Sequence, residues 1–148
     1  HVINVFGAWK FLPEWQLGVV VNIASGAPIS CYGEYPDPVA SAYIGYGGNA
    51  YHYCNGQISP RGTAGRTPWT YVLSPNLSYM PNWAKGLTFR LSATNLLNNV
   101  QPLTVYESSV TGAGSNGVGG KPNQSYKVGN LYESPRQFML EAQYNFSL

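Results

Sequence analysis

An all-β fold of antiparallel, up-and-down transmembrane β-barrel strands is predicted by three features of this sequence. The first is alternation over residues 135–148: Phe138, Leu140, Ala142, Tyr144, Phe146 and Leu148 share one parity, and Gln137, Met139, Glu141, Gln143, Asn145 and Ser147 the other. Successive strand side chains point to opposite faces, so this segment carries one apolar face and one almost wholly polar face. The second is charge: only 9% of residues are charged, against about 25% in ordinary soluble domains, which is too few to clothe a water-facing surface. The third is the lack of any apolar run near the roughly 18 residues of a membrane helix. Strands of about 9 to 11 residues cross a bilayer without such a run, because their lumen-facing parity dilutes the hydropathy average.

Counting period-2 segments between turn signals predicts five strands and no helix. The first covers residues 2–11, with Ile3, Val5, Gly7, Trp9 and Phe11 on the lipid parity and Asn4, Ala8 and Lys10 on the other; Val2 and Phe6 blur the contrast. Leu12, Pro13 and Glu14 make a tight turn. The second, residues 15–25, sets Trp15, Leu17, Val19, Val21 and Ile23 against Gln16, Gly18, Val20, Asn22 and Ala24. Residues 26–67 have no sustained period, are rich in Tyr, Gly, Pro and Asn, and read as a long loop holding both cysteines. In the third strand, residues 69–79, Tyr71, Leu73, Leu77 and Tyr79 share a face with Pro75. Proline has no N–H to give a ladder, so a bulge or local break is expected there. Residues 80–86 turn, residues 87–95 form the fourth strand with Leu87, Phe89, Leu91 and Ala93 on one face, and residues 96–134 are a second long, Gly- and Ser-rich loop before the fifth strand.

Short turns at Pro13 and Asn82 thus alternate with long loops at 26–67 and 96–134. This is the asymmetry of an outer-membrane barrel with short periplasmic turns and long external loops. Strands one, three and five then descend and two and four ascend. Trp9, Phe11, Trp15, Tyr79, Trp83 and Phe146 fall near the periplasmic boundary and Trp69 and Tyr71 near the outer one, where aromatic girdles belong. Arg90 and Glu141, the charges deepest in strands, both take lumen parity; an Arg at the lipid midplane costs about 2 to 4 kcal/mol.

Several other chemistries lack support. The net charge of +2 comes from singly scattered basic residues, which offers no footprint for nucleic acid. Gly112, Gly114 and Gly117 match a dinucleotide fingerprint, but Lys121-Pro122 follow where a helix must start. The sequons at Asn76, Asn123 and Asn145 read as chance matches, two of them inside strands. Asp37, His52 and Ser41, Ser59 or Cys54 sit in one loop without rigid support, so no enzyme activity is expected. Cys31, His52 and Cys54 lack a fourth metal ligand, and no cofactor is expected. Cys31 and Cys54 fit a disulfide in an oxidising compartment. His1 begins directly in a strand-like segment without a signal peptide, which is expected of a mature chain or a fragment.

Four short motifs carry a resemblance to a family. They are the Ser25-Gly-Ala-Pro28 strand exit, the run from Ser59 to Trp69 (Ser-Pro-Arg-Gly-Thr-Ala-Gly-Arg-Thr-Pro-Trp), the Ala93-Thr-Asn-Leu-Leu-Asn98 segment and the Ser134-Pro-Arg136 lead into the last strand. In this order they resemble the C-terminal end of a TonB-dependent outer-membrane receptor, most closely the Oar-like branch, whose members often carry a carboxypeptidase-regulatory-like domain near the N-terminus. The resemblance covers essentially the whole chain. It implies the last five strands of a 22-stranded barrel in the bacterial cell outer membrane, with outer-membrane lipid, the rest of the barrel and its plug, the inner-membrane energy-transducing TonB complex and the barrel-assembly machinery as partners. It also implies uptake of a scarce large ligand such as a chelate, glycan or peptide. Tyr144, Phe146 and Leu148 occupy the place of the barrel-assembly signal; the chain departs from the usual terminal Phe by ending in Leu148.

In the first long loop Tyr32, Tyr35, Tyr43, Tyr46, Tyr51 and Tyr53 alternate with Gly and Asn. Such a composition suits adaptable contacts with sugars or peptides, and equally suits rings that pack on one another. Of these, Tyr43, Tyr46, Tyr51 and Tyr53 are the candidate ligand contacts. Arg61 and Arg66 are expected to bond loop carbonyls or neighbouring carboxylates. Two other functions remain open on the residues alone: a passive structural or adhesive outer-membrane barrel, and a secreted β-sandwich carbohydrate-binding domain closed by Cys31 and Cys54.

Overall fold

The computed structural model describes residues 1–34, 52–111 and 120–146. Among these the chain is all-β, with antiparallel sheets and no helix. The strands are β1 (Val2–Leu12), β2 (Trp15–Ala24), β3 (Tyr53–Cys54), β4 (Gln57–Ile58), β5 (Thr70–Tyr79), β6 (Leu87–Thr94), β7 (Pro102–Val105), β8 (Val110–Thr111), β9 (Lys121–Pro122), β10 (Gly129–Tyr132) and β11 (Gln137–Tyr144). They fall into two compact units. The first comprises His1–Ser25, Trp69–Gln101 and Glu133–Leu148, and the second Gly26–Pro68 and Pro102–Tyr132.

The first unit is one sheet in the order β1-β2-β5-β6-β11, an up-and-down meander of the five long strands. Both short turns close one end of it and both long connections leave from the other, as the pairs Leu12 with Trp15 and Ala24 with Thr70 show. Register decides what the sheet presents. Directly opposed residues share a face, and from Ile3 to Trp9 on β1 and along its partners the apolar-parity residues meet one another. Trp9 pairs with Leu17, Leu17 with Leu77, Leu77 with Leu91 and Leu91 with Leu140, giving an apolar row across all five strands. The adjacent register on the opposite face runs Lys10, Gln16, Ser78, Arg90, Glu141.

Two expectations for this sheet are corrected. Pro75 does not break β5, which runs unbroken from Thr70 to Tyr79 and pairs with β2 through Val19 and Pro75. The interruption falls instead on the ladder to β6, whose pairs with β5 stop at Asn76 with Ser92. A strand residue offers its N–H to one neighbour only, so losing it affects one ladder. The last strand ends at Tyr144, because its partner β6 begins at Leu87, opposite Tyr144. Just beyond that pair the Asn145 N–H donates to Gly86 O at 2.9 Å. Ser147 and Leu148 lie outside the described residues.

The second unit corrects the reading of two structureless loops. Among the described residues it holds three short antiparallel pairs: β3 with β4, β7 with β10 and β8 with β9. Asn55 and Gly56 close the first hairpin with φ of 51° and 74°, the left-handed pair of a two-residue hairpin turn. That Asn-Gly was the available sequence signal. Strands of two to four residues have no measurable period, so periodicity alone passes over them.

Candidate functional site

The first candidate surface is the apolar face of the five-stranded sheet. Val5, Trp9, Leu91, Phe138 and Leu140 lie exposed on it, Leu140 at 76%. Among the described residues Ala93 is the only buried hydrophobic side chain of this unit. An ordinary sheet buries such a face against a second layer, and soluble monomers rarely leave a contiguous apolar patch of this extent. Aromatic rings gather at the end closed by the short turns. Trp15 stacks on Tyr79 at 4.5 Å between centroids, Tyr79 on Phe89 at 6.5 Å, and Trp9 tilts against Phe11 at 5.6 Å. Tyr144 meets Phe146 edge-on at 4.6 Å; Leu148, the third residue of the expected assembly signal, is outside the described residues.

The opposite face is polar. Arg90 and Glu141, two isolated charges in the sequence, are direct cross-strand partners, and Arg90 Nη1 donates to Glu141 Oε2 at 3.4 Å. Both side chains are about two-fifths exposed, so the pair contributes at most about 1 kcal/mol. Asn22 donates to Asn4 on the same face, which also carries the apolar Val2 and Phe6.

The four short motifs dock in pairs. In the first unit Asn95, 1% exposed and left-handed at φ 48°, donates from Nδ2 to Ser134 O at 2.7 Å and to Asn99 O at 3.4 Å, and accepts from Asn99 N–H at 3.1 Å. Asn98 Oδ1 accepts from Arg136 N–H at 3.0 Å, and Leu96 N–H reaches Leu73 O at 2.8 Å. The Ala93 to Asn98 segment therefore ties the end of β6 to β5 and to the lead into β11. In the second unit the strand exit 26–29 pairs with residues 64–67. Ala27 N–H donates to Thr67 Oγ1 at 2.8 Å, Thr67 N–H to Ala27 O at 2.9 Å, Ile29 N–H to Gly65 O at 2.9 Å, and Arg66 Nε–H to Gly26 O at 3.0 Å. Arg66 thus bonds a loop carbonyl, as expected. The structural roles of Asn95 and Gly26 were not legible in the motifs, because both depend on segments at least 39 residues away in sequence.

The second candidate site is the second unit itself. Cys31 and Cys54 form a disulfide with Cα atoms 5.6 Å apart, which places both sulfurs beyond use as thiolate ligands. Cys31 is fully buried beside Ile29 and Ser30. Among the described residues Ile29 and Cys31 are the buried hydrophobic side chains of this unit, so the cross-link carries much of its stability. Tyr53 lies on β3 beside Cys54, with its carbonyl against Gly33, where a Cβ would come within 2.4 Å. Tyr43, Tyr46 and Tyr51 fall outside the described residues, as do Asp37, Ser41 and the 112–117 glycine cluster. His52 packs its ring 4.8 Å from that of Tyr32. Burial, and secondarily the Glu107 carboxylate, push the Tyr126 phenol above its ordinary value of 10.0. Its proton is held more tightly folded than unfolded, so its contribution to stability is full below that pH and fades as pH rises through the folded value.

Replacing Cys31 and Cys54 together by serine is expected to destabilise the second unit by about 3 kcal/mol, the loop-closure value for a bridge of this span. The measurement is limited proteolysis: cleavage within 26–68 and 102–132 should rise at least tenfold, while β1, β2 and β11 keep their wild-type resistance.

Comparison of the chain with protein-family models, curated proteins and solved structures finds no match.

Proposed function

We propose that the chain contributes five consecutive strands to a transmembrane β-barrel of the bacterial outer membrane, and that this barrel is a receptor for uptake of a scarce large ligand. The observation that carries the reading is the register-matched face of the sheet, apolar in every strand and exposed, with charges confined to the opposite face. Lipid is the solvent that such a face fits, and a polar lumen fits its reverse. Among the described residues β1 and β11 each pair along one edge only. Open strand edges are not tolerated in hydrocarbon, so further strands complete the barrel. Coupling to an inner-membrane energy complex rests on the resemblance of the four motifs to TonB-dependent receptors, and so does the class of ligand.

The test is a blot of outer-membrane fractions with antibody against residues 26–67, run unboiled and boiled. A membrane band that shifts on boiling is the expected result; a soluble band that does not shift overturns it. Orientation has its own test. Leu91 lies on the apolar face and its neighbour Ser92 on the polar one, so Leu91→Arg should cost about 2 to 4 kcal/mol in the bilayer. Ser92→Arg should change the urea midpoint of the folded, heat-modifiable band little. Equal effects from the two substitutions overturn the assignment of faces.

A further inference from the structure

The second unit contains a recess of about 180 Å³ to which neither the disulfide nor the sheet assigns a role. Pro28, Ile29, Leu103 and Val105 form apolar walls, and Thr67, Thr104 and Glu107 also line it. All of these residues belong to the second unit, so the inference does not depend on the barrel reading.

The polar groups are oriented and only partly used. Glu107 Oε1 accepts the Ser30 N–H at 2.7 Å, which anchors the carboxylate. Among the described residues no cation pairs with it. Thr67 is 6% exposed, and its Oγ1 accepts the Ala27 N–H at 2.8 Å. Thr104 Oγ1 donates to Asn130 Oδ1. On β7 Thr104 lies between Leu103 and Val105 and so takes the opposite face of the strand, where it meets Asn130. A hydroxyl oxygen has two acceptor lone pairs and the ionised carboxylate about four, so Thr67 and Glu107 keep acceptor capacity. A carboxylate beside apolar walls favours a cation, and a primary ammonium, with three N–H donors, can donate to Glu107 and Thr67 together. The size sets the rest: a cavity of roughly 150 Å³ takes a benzene ring, so this recess takes a short alkyl chain.

We propose that this recess binds a primary ammonium carried on a short apolar stem, with Glu107 as the charge partner, Thr67 as a further acceptor, and Ile29, Leu103 and Val105 around the stem. A free alkylamine and the lysyl side chain of a peptide present the same chemistry.

The experiment uses the full polypeptide, disulfide intact, in detergent, with n-butylammonium, n-butanol and N-acetyl-lysine amide as probes in ligand-observed NMR titrations. Butylammonium is expected to bind at least about tenfold more tightly than butanol, the discrimination expected of one charge-assisted contact. Glu107→Gln keeps an oxygen for Ser30 and should abolish the preference. Binding of both probes with equal strength, binding of neither, or a preference that survives Glu107→Gln overturns the proposal. The comparison of amine with alcohol on the wild-type chain decides even if the variant misfolds. If N-acetyl-lysine amide binds more tightly than butylammonium, the proposal holds with a peptide lysine as the source; if more weakly, it holds with a free amine.

Discussion

Replacing Gly26 by alanine is expected to destabilise the second unit by roughly 3 to 5 kcal/mol, at the upper end of what single substitutions do. A Cβ at this position would lie 1.5 Å from Thr67 O and 2.3 Å from Thr67 C, both backbone atoms that no rotamer change can move. The strand exit has to peel away from residues 64–67 to admit it. Peeling breaks the reciprocal bonds between Ala27 and Thr67 and the Arg66 bond to Gly26 O, each contributing about 1 kcal/mol, and leaves buried Thr67 without its partner. Limited proteolysis of the second unit measures the effect. Gly7→Ala is the control: nothing lies within 4 Å of its Cβ position, so a change within about 0.5 kcal/mol is expected. If Gly26→Ala is as silent as Gly7→Ala, the docking of the strand exit on residues 64–67 is wrong.

Asn95→Ala is expected to cost a similar amount, about 3 to 5 kcal/mol, in the first unit, from two separable causes. Its amide makes three bonds, to Ser134 O, Asn99 O and Asn99 N–H, and its near-complete burial leaves no water to replace them. Its φ of 48° is a conformation that asparagine tolerates and alanine resists by roughly 1 to 2 kcal/mol. Asn95→Gly removes the bonds and relieves the backbone, so it should be less damaging than Asn95→Ala by about that 1 to 2 kcal/mol. Urea titration of the folded sheet measures both. Equal losses would mean that the backbone conformation contributes nothing.

The contrast between the two units explains what was legible in advance. The five long strands repeat their alternation for 8 to 11 residues each, long enough for a period to rise above chance, and their structural bounds lie close to the expected ones. The second, third and fourth overran by one residue; the last overran further, because alternation continues into residues 145 and 146 whereas pairing requires a partner strand. The second unit is built from pieces of two to four residues joined across long sequence separations, as when Tyr32 N–H donates to Glu107 O at 2.8 Å. No local pattern encodes such contacts, and even its clearest signal, Asn55-Gly56, specifies a turn without saying what packs on it.

By itself, then, the sequence determined that the chain is all-β, which residues share each face of each long strand, and where turns are short. Those properties follow from backbone geometry, which alternates side chains with a period of two whatever the surroundings. Tertiary structure alone decided the register that joins five apolar parities into one face, the meeting of Arg90 with Glu141, and the close approach at Gly26. It also decided the burial of Asn95 and the recess that holds Glu107. Each of these depends on which distant segments come into contact, and such contacts are selected by the free energy of the assembled chain rather than by any residue's immediate neighbours.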